Sequence, residues 1–164
     1  ILILSAFTIS SSLNWTISEG YEIKFSSSTG DPEGIFKTIN GDIQFNENDL
    51  ASSKCDFKVD VNSINTGNGM QNKHAISAKW FDAEKYPNIE FKSSNFSKTE
   101  TGYSVTGTME MHGVDKEMTL PFTFSNNVFK STFSVNRIDF NIGESMEKVS
   151  DDIKLEVSLP VTKK

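Results

Sequence analysis

Few residues of this 164-residue chain have the chemistry of a catalytic or metal-binding group. It contains one cysteine, Cys55, and two histidines, His74 and His112, which lie far apart in the sequence. A structural zinc site needs four ligands and a catalytic one usually three, and the chain offers neither a cysteine pair nor a closely spaced histidine pair. We therefore expect no metal, no cofactor and no catalytic residue, and a protein that is not an enzyme.

The reactive side chains that remain occupy unpromising positions. Cys55 lies on the apolar side of an alternating segment, where burial raises the pKa of a thiol and disfavours its nucleophilic form. Asp56, Asp60 and Glu110 lie on the polar side of such segments, which is typical of a solvated face. Paired catalytic carboxylates would have to face into a cleft. Whether Cys55 and His74 approach each other in space stays open.

Composition and charge exclude several classes of protein. The net charge of −6 argues against a nucleic-acid partner, because phosphate binding needs a concentrated excess of Lys and Arg. An apolar content of 36% is too low for a membrane-spanning bundle, and 13 phenylalanines are too many for a disordered chain. The length suits one domain with a core of its own. We expect a single folded domain that binds no nucleic acid and has no membrane span.

The N-terminus indicates a location. Residues 1–9 read ILILSAFTI and are followed by three serines, which is typical of the apolar core and tail of a secretory signal peptide. The stretch is shorter than the roughly 20 residues that span a bilayer. We interpret residues 1–13 as the remnant of a signal peptide and residues 14–164 as the mature domain, either periplasmic or secreted. An ordinary N-terminal strand is the alternative.

Beyond residue 14 the dominant pattern alternates between apolar and polar residues. Successive side chains of a strand point to opposite faces, so each alternating segment predicts a strand with one buried and one solvated face. Continuous apolar runs are absent, which favours an antiparallel sheet. The regular segments are 21–25, 54–61, 105–111, 118–124, 129–135 and 152–159.

Three segments are less regular. Residues 34–45 predict one long bent strand, with a bulge near Lys37 and a sharp curve at Gly41. Residues 88–97 begin as a strand and become polar after Phe91. Residues 68–81 have helical spacing, with Met70, His74, Ser77 and Phe81 on one face. About eight strands and one short helix predict a closed barrel or sandwich, which is wide enough to be self-filled or to hold a slender ligand.

The order of several short motifs resembles the YceI-like family of bacterial lipocalin-like, polyisoprenoid-binding proteins. The resemblance extends from about Trp15 to the C-terminus. Many members have a pattern like Asp-x-His-Leu around the helix histidine, whereas this chain has Asn72, Lys73, His74 and Ala75 there. The motifs are the segments 34–41, 59–66, 73–75, 81–87, 89–93, 105–116 and 137–143.

The resemblance implies an all-β fold, an eight-stranded antiparallel lipocalin-like barrel with a short helix between strands. It also implies the binding, sequestration or transport of a long-chain amphiphilic lipid, of the isoprenoid or isoprenoid quinone type, in an apolar channel. The family supplies no established catalytic residues. The sequence leaves the oligomeric state open, a homodimer included.

Residues on the apolar side of the strands are the candidate channel lining, although each could equally be plain core packing. The alternative function is a self-filled barrel without a ligand, which acts as a structural or stress-response interaction module of the cell envelope. We expect His74, Trp80 and Phe81 to border the channel mouth. The candidate lining residues are Ile23, Phe25, Phe36, Ile39, Phe57, Val59, Phe91, Met109, Met111, Phe122, Phe133 and Leu155.

Overall fold

The computed structural model describes residues 13–146 and 148–164. Apart from Leu13, the predicted signal-peptide remnant, residues 1–13, lies outside the described residues, so this interpretation of the N-terminus stays a prediction.

Strands dominate the structure and form one antiparallel sheet. Between β6 and β7 lies the helix α1 (Gly69–Ile76), and three short 3-10 turns (Leu50–Ser52, Val61–Ser63 and Arg137–Phe140) connect other elements. Within the described ranges the strands are β1 (Asn14–Ile17), β2 (Glu22–Ser27), β3 (Glu33–Phe36), β4 (Ile39–Gln44), β5 (Lys54–Asp60), β6 (Ile64–Asn65), β7 (Asn88–Lys98), β8 (Tyr103–Met111), β9 (Val114–Ser125), β10 (Val128–Asn136) and β11 (Asp152–Lys163).

The sheet closes into a barrel because the long strand β11 has partners along both edges. One edge pairs with β10 over nine residue pairs. The other edge pairs first with β2, from Ile153 to Ser158, and then with β1, from Val161 to Lys163. On the far side of these two strands, β3 pairs with β2 and β4 pairs with β1, both antiparallel. The described chain thus forms a closed eight-stranded antiparallel barrel, in which three of the eight positions are each shared by two consecutive strands (β1 and β2, β3 and β4, β5 and β6), and the predicted all-β fold is confirmed.

The prediction of one long bent strand over residues 34–45 is wrong in detail. Lys37 and Thr38 separate β3 from β4, and their backbone N–H groups donate to the carbonyl and hydroxyl oxygens of Ser63 instead of to a strand. Gly41 lies in regular register opposite Phe57, without a bulge. The chain can bend here because Ser63 accepts hydrogen bonds from the two backbone N–H groups that no longer pair with a neighbouring strand.

A bulge occurs instead in β7. The register with β8 shifts between Ser93 and Asn95, which inserts one residue into β7. A single-residue insertion reverses which side chains face inward. Phe96 therefore points into the barrel and is buried, in a stretch where the sequence becomes polar.

The predicted helix exists but is shorter than its apolar spacing suggests. The Asn68 side chain caps α1 by accepting from the backbone N–H groups of Met70 and Gln71 at 2.9 and 3.2 Å. The helix ends at Ile76, and a turn follows in which the Phe81 N–H donates to the Ala75 carbonyl at 2.9 Å. The predicted face is wrong, because Met70 is 70% exposed and Phe81 lies beyond the helix.

One end of the barrel is closed by a cluster of aromatic rings around Phe45, which is 1% exposed. The ring centroid of Phe45 lies 5.2–6.0 Å from those of five neighbours, in the edge-on and tilted arrangements that aromatic rings prefer. The Trp15 indole N–H donates to the Phe45 carbonyl at 3.0 Å. We call this cluster the aromatic plug. Its members are Trp15, Phe45, Phe96, Tyr103, Phe122, Phe124 and Phe129.

Glycines let phenylalanine rings lie flat against the neighbouring strand. Gly34 is opposite Phe25, and Gly41 is opposite Phe57. A Cβ on Gly41 would lie 2.6 Å from the Phe57 ring and 2.6 Å from the Asp56 carbonyl oxygen. Both distances are below van der Waals contact, so the absence of a side chain at Gly41 is required where the two strands meet.

We predict that Gly41→Ala lowers the free energy of unfolding by about 1–3 kcal/mol, because the added methyl group must displace the ring or the backbone. Urea denaturation measures the change. Gly69→Ala is the control, since Gly69 has no heavy atom within 4 Å of a Cβ and begins α1. Equal stability of the two variants would contradict the steric argument.

Candidate functional site

A cavity of about 430 Å³ occupies the barrel between the aromatic plug and the opposite end. The structure places all twelve predicted lining residues on its wall. Eight of them are buried, whereas Phe57, Val59, Phe133 and Leu155 are only half-buried although they point inward. An inward-facing side chain can keep accessible surface only if it borders empty space. The side chains of the barrel therefore do not fill its interior.

The opposite end of the barrel is the mouth of the cavity. It is bordered by the β2–β3 turn with Asp31, by α1 with Gln71 and His74, and by Arg137, Ile142 and Val149 after β10. The Gln71 amide and the Asp31 carboxylate lie 3.4 Å apart, which joins α1 to the β2–β3 turn. Asp31, Gln71 and His74 are exposed, so polar groups and water meet the apolar cavity at this edge.

Trp80 and Phe81 lie on the cavity wall next to α1, as does His74. The Phe81 ring packs edge-on against Phe36 at 6.1 Å between centroids. The Trp80 ring lies 5.2 Å from the Arg137 guanidinium, within the range of a cation–π contact. The three residues predicted to border the mouth thus lie on the same cavity wall as the lining residues. The residue that contacts Trp80, Arg137, was not among the predicted site residues.

Arg137 organises the segment that follows β10. Its side chain is 4% exposed, yet its guanidinium has polar partners on the surrounding chain. A buried cation is tolerated only where its N–H groups are satisfied, and here five residues that follow β10 supply the acceptors. The acceptors are the carbonyl oxygens of Ile142, Glu144, Val149 and Ser150 and the carboxylate of Asp151, at 2.8–3.1 Å.

Sequence reasoning missed Arg137 and part of the wall for identifiable reasons. Arg137 opens the motif 137–143, which carried the resemblance, but one arginine after a strand gives no indication of its acceptors. Phe96 was hidden by the bulge in β7. Phe45 lies just beyond the end of β4, at the end of the predicted strand 34–45, and was not singled out as a lining residue. Gln71 lies on the face of α1 that borders the cavity, whereas the apolar spacing predicted that Met70 would lie there.

The candidate chemical groups lie apart. Cys55 is opposite Ile43, away from the mouth, whereas His74 is at the mouth. Burial raises the pKa of the Cys55 thiol to about 12, and a hydrogen bond from Ser93 only partly opposes this. His112 Nδ1 lies 3.1 Å from the Phe140 carbonyl oxygen. Residues 13–146 and 148–164 contain no group of three or more His, Cys, Asp or Glu arranged to hold a metal ion.

A closed antiparallel barrel with an apolar cavity and a polar mouth defines the class of small β-barrels that can enclose one ligand. The chain belongs to the YceI-like domain family, which it matches over residues 10–161. None of the helices in the described ranges is long and apolar enough to cross a bilayer.

Sequence and structure comparisons agree with this assignment. The protein named YceI from Salmonella arizonae is 26% identical over 136 residues, which cover 77% of this chain and 71% of that protein. The crystal structure of Burkholderia cenocepacia BcnA has a TM-score of 0.79 at 26% identity and covers 87% of this chain and 96% of its own. A polyisoprenoid binding domain from Saccharophagus degradans has a TM-score of 0.67 at 14% identity and covers 94% of this chain and 100% of its own, which shows the shared fold.

We predict that Arg137→Lys lowers the free energy of unfolding by about 2–4 kcal/mol, because a lysine keeps the charge but leaves several of the five acceptors without a donor. Urea denaturation measures the loss. The control is Lys154→Gln, which removes an exposed ion pair with Glu156 and should change stability by less than about 0.5 kcal/mol. A loss no larger than the control's would refute the organising role of Arg137.

We predict that Cys55 reacts with an aromatic disulfide reagent at pH 8 at least about a thousandfold more slowly in the native protein than in urea. The raised pKa keeps the thiol protonated, so the native rate should rise about tenfold per pH unit between pH 7 and 9 without levelling off. A rate that levels off near pH 8.5 would contradict the burial of this thiol.

Proposed function

We propose that the protein binds an amphiphilic lipid, with the apolar tail inside the barrel and the polar head at the mouth. The observation that carries this proposal is a cavity of about 430 Å³ with an almost wholly apolar wall, which ends at the aromatic plug and meets exposed polar groups at the mouth. Such a site favours a molecule that is apolar at one end and polar at the other.

The interior can supply the binding free energy without any specific polar contact. Each methylene removed from water contributes about 0.8 kcal/mol, so ten buried methylenes contribute on the order of 8 kcal/mol before the entropy of association is lost. Because the wall already exists in the free protein, little reorganisation opposes binding. Taken before that loss, about 8 kcal/mol corresponds to a dissociation constant of about 1 μM, and the loss of entropy weakens the affinity from this limit.

We infer that the ligand is an isoprenoid or an isoprenoid quinone. The methyl branches of an isoprenoid need a wall that adapts to an uneven surface, and Met109 and Met111 supply flexible, polarisable side chains there. The structural neighbour from Saccharophagus degradans is described as a polyisoprenoid binding domain, which supports the same class. Sequestration or transport in the periplasm or outside the cell would suit a protein made with the predicted signal peptide.

A binding role is favoured over the two other functions considered. The family and its neighbour suggest binding rather than catalysis. A self-filled barrel would leave few voids larger than a water molecule, whereas this one holds a cavity of about 430 Å³. The interaction-module alternative is therefore not favoured.

Lipid bound to the purified protein is the direct test. We expect organic extraction of the full chain, followed by mass spectrometry, to release one class of amphiphile at close to one molecule per protein. Delipidated protein should melt at a higher temperature when isoprenoid quinones are added, because a ligand that binds only the native state stabilises it. If no lipid is released and no thermal shift occurs, the proposal is refuted.

A variant that occupies the cavity tests where the lipid binds. We predict that Leu155→Trp weakens lipid binding at least about tenfold, because Leu155 lies on the wall and a larger side chain takes volume from the tail. Glu156→Trp is the matched control, since Glu156 is the next residue and faces solvent. Circular dichroism confirms that both variants fold, and equal affinity would place the lipid outside the barrel.

A further inference from the structure

We propose that the barrel encloses about fourteen carbons of a tail and that the aromatic plug sets this limit. The inference rests on the proposed function and narrows its ligand class. The cavity of about 430 Å³, divided by the roughly 30 Å³ that a water-sized group occupies in a liquid, accommodates about fourteen methylenes. That corresponds to about three isoprene units, so a longer isoprenoid would leave the rest of its chain at the mouth.

The limit depends on which plug residues face the cavity. Four plug rings form the end of its wall, namely those of Phe45, Phe96, Phe122 and Phe129. The other three members of the plug, Trp15, Tyr103 and Phe124, are not on the wall. The Tyr103 and Phe124 rings pack against wall rings, and the Trp15 ring packs against Phe124. The cavity thus ends at one layer of aromatic rings that is supported by another.

Two of the three supporting rings, those of Trp15 and Tyr103, are held by hydrogen bonds, which keeps the end of the cavity in place. The Trp15 indole N–H donates to the Phe45 carbonyl at 3.0 Å, and this fixes the backbone of the central ring. The Tyr103 hydroxyl donates to the Glu47 carboxylate at 2.7 Å. Tyr103 in turn stacks on Phe122 with 5.4 Å between centroids. A tail that reaches these rings cannot push them aside without breaking buried contacts.

Affinity should therefore depend on tail length in two regimes. Each methylene that enters the cavity should tighten binding about fourfold. Once the tail fills the space up to the plug, further methylenes remain in water at the mouth and should change affinity by less than about 1.5-fold each. The break between the two regimes marks the enclosed length.

A competition series locates this break. Delipidated full-length protein is mixed with equimolar straight-chain primary alcohols of about eight to about twenty-two carbons, and native mass spectrometry measures the occupancy of each. We expect occupancy to rise steeply up to about fourteen carbons and then to level off or fall. A steep rise that continues to about twenty carbons overturns the proposed limit, although lipid binding itself would stand. Binding of no alcohol would refute the proposed function instead.

A matched pair of variants in β10 tests the role of the aromatic rings. Phe129 is on the cavity wall, whereas its neighbour Val128 belongs neither to the wall nor to the plug. Phe129→Ala should move the break to longer alcohols by on the order of three to five carbons, because it adds volume at the end of the cavity. Val128→Ala should leave the break unchanged.

A break that moves equally in both variants, or in neither, would overturn the assignment of the limit to the plug wall. Both residues are half-buried, so we expect the two proteins to fold. If Phe129→Ala does not fold, Phe129→Leu serves with a smaller expected shift, and the wild-type series still decides whether a limit exists.

Discussion

The packing of aromatic rings around Phe45 is the constraint on which the rest of the structure depends. A closed barrel of eight strands has an interior of nearly fixed width, and its side chains either fill that interior or leave a void. Here the rings concentrate at one end, where Phe45 contacts five neighbours and is almost completely buried. These packed rings stabilise that end of the barrel, whereas along the remaining length the inward phenylalanine, aliphatic and thioether side chains line a cavity.

The other end of the barrel is built by polar rather than aromatic contacts. Arg137 donates hydrogen bonds to the carbonyl oxygens of Ile142 and Glu144 and to the Asp151 carboxylate, and its guanidinium lies against the Trp80 ring. This arrangement keeps the edge of the cavity ordered without filling it. The two ends of the cavity therefore differ in polarity. An amphiphilic ligand would bind with its apolar tail toward the aromatic plug and its polar head at the mouth.

The alternating residues of the strands predict the fold well because burial of one face imposes a strict period of two. The same period predicted that twelve residues, among them Ile23 in β2 and Met109 in β8, face the interior of the barrel, and the structure places them there. It failed where a local hydrogen bond or an inserted residue changes the phase. Ser63 separates β3 from β4, and the bulge after Ser93 turns Phe96 inward.

Other features of the site depend on local hydrogen bonds that the apolar pattern does not show. The capping of α1 by Asn68 and the turn after Ile76 determine that Gln71, and not Met70, faces the mouth. Periodicity alone cannot reveal this, because the apolar spacing of residues 68–81 continues past the end of the helix. The void itself is also invisible in the sequence, since an inward phenylalanine can either fill a barrel or line a cavity.

The position of a bound tail tests the central claim most directly. A crystal structure with a bromine-terminated primary alcohol of about twelve carbons would locate the tail end by the anomalous scattering of bromine. We expect the bromine inside the barrel, on the side of the aromatic plug near Phe122 and Phe129, and the hydroxyl group at the mouth near Asp31 and His74. Bromine on the outer surface of the barrel, or at the mouth with the cavity unoccupied, would contradict the account.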